Sequence, residues 1–131
     1  MNLTKYSRNR IIKTFQHWQV PRDFADPMYN YLVHGYSPGS CFIGVLANDF
    51  NAAIRSSHPA NTVEAFKALA GWIQDTVPSV AHGNYEALTY WIGLTNEERR
   101  AILEQEHLIY TKEEEVMLVL AGEPTTKSVL Y

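Results

Sequence analysis

Cysteine is nearly absent. Cys41 alone among 131 residues excludes an internal disulfide and a cysteine-type zinc site, and with them a secreted scaffold held by staples. Long apolar runs are missing too: stretches such as 116–121 fall far short of the ~18 residues that cross a bilayer. Residues 1–26 hold no apolar leader-like region, so the expectation is a soluble, unexported chain in a reducing cytoplasm. The five histidines, at 17, 34, 58, 82 and 107, form no i, i+4 pair and no HExxH motif, so no metal site is expected. Walker-type, Rossmann and nucleophile-elbow motifs are likewise missing. No cofactor is expected, and the reading is of a protein that is not an enzyme.

Charge is scarce where the chain is longest. Residues 27–94 hold only Asp49, Arg55, Glu64, Lys67, Asp75 and Glu86, whereas residues 1–26 carry five bases against two acids and residues 95–131 eight acids against four bases. Six charges are few for the exterior of a 68-residue stretch. The flanking segments complete one core over it, or a second subunit covers it. From this the expectation is a homo-oligomer with no membrane association.

What is present is a good core: 46% hydrophobic residues, with 3 Trp, 8 Tyr and 5 Phe, in a chain of single-domain length. The punctuation is helical. A basic helix or arm occupies residues 1–26, with its helical stretch around 9–18. Asp26 and Pro27 read as the start of a short helix running through Leu32 and closed by Gly35. Ser37-Pro38 repeats the start signal before one long central helix whose stripe is Phe42, Leu46, Phe50 and Ala53. Asn61 and Glu64 have capping-box spacing for a helix that Pro78 follows; residues 84–92 form another, closed by Gly93. Thr95 with Glu98 and Thr111 with Glu114 give two more boxes, and Gly122 stops the last helix. The fold class is therefore all-α, a compact bundle of about six to seven short helices, with a core at 27–94, a C-terminal helical pair at 95–122 and a tail at 123–131.

Two groups of residues carry site readings. His34, Tyr36, Ser37, Gly39 and Ser40 place a turn, two hydroxyls and free N–H groups at a helix start, where an anion could be held. Arg55 would add a cation, and Tyr36 or Tyr85 would stack on a base. Turn chemistry alone also explains these residues, with Ser37 as N-cap. Gly39 would then have helical angles and accept valine at a cost of ~1 kcal/mol. The second group is an interface set: Asp49 at the border of the central helix's apolar stripe, its neighbour Asn48 on the polar face, Trp72 on a second, small-residue surface with Ala65 and Ala68, and Trp91. Packing by the C-terminal helices is the alternative for Trp72. Cys41 reads as a buried thiol.

The run YLVHGYSPGSCFIGVLANDFNAAI, followed by PANTVEAFKALAGWIQDTVP and AHGNYEALTYWI, resembles a group of small proteins encoded by tailed phages and prophages. Their pattern joins G-x-x-P-G, A-V-L-x-N-D-L, an Asn before the next helix, W-x-Y-N-x-x-P and W-G-S. Gly35, Pro38, Gly39, Val45, Leu46, Asn48, Asp49, Asn61, Trp72, Pro78, Gly83 and Trp91 fall on its positions, over about residues 29–93. The chain departs where Gly44 replaces Ala, Gln74-Asp75 replaces Tyr-Asn, and 81–84 replaces the tryptophan-glycine-serine element. The resemblance implies a small helical fold of phage origin, working in the cytoplasm of an infected bacterium. On that footing the expected function is a non-catalytic accessory protein directed at the host, most simply a counter-defence inhibitor that binds and occludes a host defence protein. A sponge for an anionic signalling nucleotide is the alternative. An auxiliary nucleic-acid-binding role for Arg8, Arg10, Lys13 and Arg22 is a third, which the pI of about 5.9 opposes.

Overall fold

The computed structural model describes residues 3–122, and the tail reading of 123–131 lies outside the described residues. Eight α-helices and no strand occur among them, which bears out the all-α reading. Helix α1 spans Lys5–Trp18, α2 Ala25–Tyr29, α3 Ser40–Leu46, α4 Phe50–Ser56, α5 Val63–Thr76, α6 Tyr85–Gly93, α7 Asn96–Gln105 and α8 Lys112–Leu120. A π-helix, Asn30–His34, prolongs α2, and short 3-10 turns occupy Arg22–Phe24 and Ser79–Ala81.

Several boundaries differ from the sequence reading. Helix α1 begins four residues before Asn9 because Thr4 caps it, its hydroxyl accepting from the Ser7 amide at 3.5 Å. The second helix is not capped by Asp26: the chain is already wound at Arg22–Phe24 after Pro21, and Asp26 lies in the first turn of α2. The cap of α5 is Thr62 rather than Asn61, accepting from the Ala65 amide at 3.1 Å. The boxes at Thr95 and Thr111 are both complete, and Asn84 caps α6 as expected.

The largest difference is that the long central helix is two helices. Asn48 takes the left-handed conformation (φ 62°), and the amides of Asp49 and Asn48 donate back to Gly44 O at 2.7 Å and Val45 O at 3.2 Å. This is a Schellman ending with an asparagine in the usual glycine place. Asp49 then caps α4, which folds back on α3. The hairpin closes over Gly44, where a Cβ would lie 2.6 Å from the Ala53 nitrogen. Gln19 (φ 55°) and His107 (φ 59°) end α1 and α7 by the same pair of bonds.

The basic N-terminal segment is part of the core. Ile11 and Phe15 of α1 are buried with Phe66, Leu69, Trp72 and Ile73 of α5. Phe15 meets Trp72 edge-on at 4.6 Å, and the Trp72 indole donates to Thr14 Oγ1 at 2.8 Å. Trp91 is equally buried, its indole donating to Tyr31 O at 3.0 Å. Arg99 gathers helix ends: it donates to Val33 O (3.3 Å) and His34 O (3.1 Å) of the π-helix, to Trp91 O (3.2 Å) of α6, and to Leu94 O and Asn96 Oδ1. Carbonyls at helix ends are short of helical partners, so a buried guanidinium satisfies them and itself together; Trp91 O also accepts from the Leu94 amide at 3.2 Å.

Helix α8 is fastened by charge. Glu115, 5% exposed, accepts from Arg100 (2.8 Å), Ser7 Oγ (2.7 Å), Thr4 Oγ1 (2.5 Å) and Thr4 N (3.0 Å). Desolvation by burial pushes its pKa up, but the hydrogen bonds from Thr4, Ser7 and Arg100 outweigh this and hold it below the ordinary 4.5. Glu115→Ala should lower the urea-unfolding free energy by about 3–5 kcal/mol, because it strands part of Arg100 and two hydroxyls. The stability owed to this carboxylate is complete above pH 4.5 and is lost as pH falls through the lowered value. Unfolding curves of Glu115→Gln across that window should accordingly show a smaller loss with acid than the parent.

Candidate functional site

The 34–40 segment is a loop rather than a helix start at Ser37. Helix α3 begins only at Ser40, and the residue before it, Gly39, has φ 93° and ψ 161° with no side-chain cap. Ser37 therefore does not cap, and Gly39 is not helical. The reason lies one turn upstream: the π-helix winds on to His34 and ends at left-handed Gly35, so the chain needs the following residues to reverse. His34 and Tyr36 do come together, their rings stacked at 5.3 Å and 28°, with Tyr36 61% exposed. Burial and the charge of Arg99 lower the His34 pKa, which leaves it neutral at pH 7 and a poor partner for an anion.

Tyr85 does not join that turn: it meets Asp49, at the opposite end of α3, whose seven residues rise ~10 Å. The Tyr85 hydroxyl donates to Asp49 Oδ2 at 2.5 Å, and the Ala52 amide donates to Oδ1 at 3.2 Å. The first of these bonds lowers the Asp49 pKa and raises that of Tyr85, while the charge of Arg55, further along α4, acts to lower both. Asp49 and Asn48 thus form the α3–α4 corner, a structural use. Cys41 is half-buried, and burial pushes its thiol pKa up, away from the reactive thiolate.

The two tryptophans assigned to an interface are corrected as well. Trp72 and Trp91 are 0% exposed. Trp72's second burial partner is α1, not the C-terminal helices and not another subunit; the basic composition of α1 hid the apolar edge made by Ile11 and Phe15.

The surface that stands out instead is α8. Val116, Met117, Val119 and Leu120 are 56%, 67%, 57% and 77% exposed, while Glu115, which precedes them, is buried. At i, i+3 and i+4 spacing these four side chains form one stripe. Beside it runs a groove of about 370 Å³ between Thr4, Arg100, Lys112 and the Val116, Val119 and Leu120 side chains. Across Lys112 lies a polar trough of about 250 Å³ lined by Glu97, Glu104 and Glu113 with Arg100. The sequence signal was available: a helix apolar at nearly every position from 116 to 121 belongs inside a protein, yet it closes the described chain.

Among the described residues no three His, Cys, Asp or Glu side chains gather as a metal site, and no helix is long and apolar enough to cross a membrane. Comparisons with protein-family models, curated proteins and solved structures each give no match.

Gly39 carries the prediction. With φ 93° and open space around its Cα, Gly39→Val meets no clash but must hold a left-handed backbone. The expected cost is about 1–3 kcal/mol, read as a lower melting temperature. A parent-like melt would return Gly39 to helical angles.

Proposed function

We propose that this protein is a non-catalytic binding protein that covers a surface of a protein partner with the apolar face of α8, and that it serves as a phage-encoded accessory protein acting on a host protein in the bacterial cytoplasm. The observation that carries this is the orientation of α8: Glu115, one of its three glutamates, is buried, while Val116, Met117, Val119 and Leu120 are exposed. An exposed apolar stripe of this kind marks an interaction site, and truncating its central side chains removes most of the binding energy. The titratable groups with shifted pKa values support the same reading, because Glu115, Asp49 and Arg99 are each occupied in holding helices.

The nucleotide-sponge reading keeps one favourable observation, the stack of half-buried His34 with exposed Tyr36. Its cationic half is weak: His34 is lowered in pKa and Arg99 faces carbonyls.

The test is capture of a host protein by immobilised parent and by Met117→Ser/Leu120→Ser. The parent should retain a stoichiometric partner that the variant loses by at least tenfold, since two exposed anchors are removed. Its absorbance should show no bound nucleotide near 260 nm. Equal retention by the variant, or a nucleotide released on denaturation, would overturn the proposal.

A further inference from the structure

Resting on that reading of α8, we infer that the face takes a basic amphipathic segment: a helix presenting apolar anchors along one side with lysine or arginine beside them. Two features converge. The stripe of Val116, Met117, Val119 and Leu120 is the width of one helix face, which fits helix-in-groove recognition. Alongside it the rim is acidic. Glu97 and Glu113, exposed, and Glu104, half-buried, line the trough beside it; Lys112 is the one exposed lysine or arginine between residues 95 and 122, and Lys5 follows Thr4 on the α1 side of the groove.

The acidity is concentrated on one edge. Glu97, Glu104 and Glu113 line a trough that shares Lys112 with the apolar groove, while on the α1 edge Arg10 acts on Glu114 and lies over Tyr110 at 4.5 Å. A ligand's cations therefore belong on the α7 side of its anchors. The same rim disfavours the other occupants of an apolar face. An anionic lipid surface and a nucleic-acid backbone would meet carboxylates, and a second copy would bring two acidic rims together.

The probe is a synthetic Leu/Lys amphipathic helix, compared with a Leu/Glu helix having the same apolar face, by fluorescence anisotropy against the full chain. The Leu/Lys helix should bind at least tenfold more tightly than the Leu/Glu helix. Its affinity should fall about tenfold in Met117→Ser/Leu120→Ser and by roughly threefold or more in Glu97→Gln/Glu113→Gln, and it should weaken with salt. These side chains are exposed, so both variants should melt with the parent. Unchanged Leu/Lys binding in the serine variant would reduce the effect to bulk charge and overturn the inference. Equal binding of the Leu/Glu helix would also overturn it. So would a parent that is dimeric by light scattering and becomes monomeric in the serine variant, which makes a second copy the occupant. If host-protein capture is lost in the serine variant but indifferent to Glu97→Gln/Glu113→Gln and to salt, the basic chemistry fails and the α8 reading stands.

Discussion

The placement of α8 depends on the buried pair between Arg100 and Glu115. A charge taken out of water must find its partners within the fold, and Glu115 finds four donors on Thr4, Ser7 and Arg100. That requirement fixes which side of α8 turns inward. The apolar residues on the remaining faces are then exposed, except Leu118, which is half-buried. A buried ion pair contributes little net stability over an apolar contact of the same shape. What it supplies here is orientation, and orientation makes the surface.

Arg99, the neighbour of Arg100 in sequence, performs a different task on the other side of α7. Its guanidinium closes the carbonyl ends of the π-helix and of α6, which brings the 34–40 loop, α6 and α7 to one point. Two consecutive arginines thus tie α7 in two directions, one toward helix ends and one toward Glu115 of α8. The two residues between α6 and α7 and the six between α7 and α8 have little freedom once both are in place.

Much of the architecture could be read from sequence where the signal is local. Thr95 with Glu98 and Thr111 with Glu114 encode complete capping boxes, and Asn84 and Gly93 bound α6. Helix stops made by residues other than glycine were illegible. Gln19, Asn48 and His107 adopt left-handed angles only because Schellman bonds and the packing beyond them hold them there, and so the break at Asn48 was missed. Site residues failed for a related reason. Trp72 looked unpartnered because its partners, Thr14 and Phe15, lie on a helix whose composition is basic. The orientation of α8 could not be derived from periodicity, since Glu115 is indistinguishable from Glu113 and Glu114 until Arg100 is placed in space.

The bond from Thr4 to Glu115 spans 111 residues, which gives the chain the topology of a loop tied at its neck. Closing a loop of that length costs about 4 kcal/mol of chain entropy before any contact rewards it. Because Thr4 and Leu120 both border the groove, the tie at Glu115 sets the two ends of the described chain on one cleft.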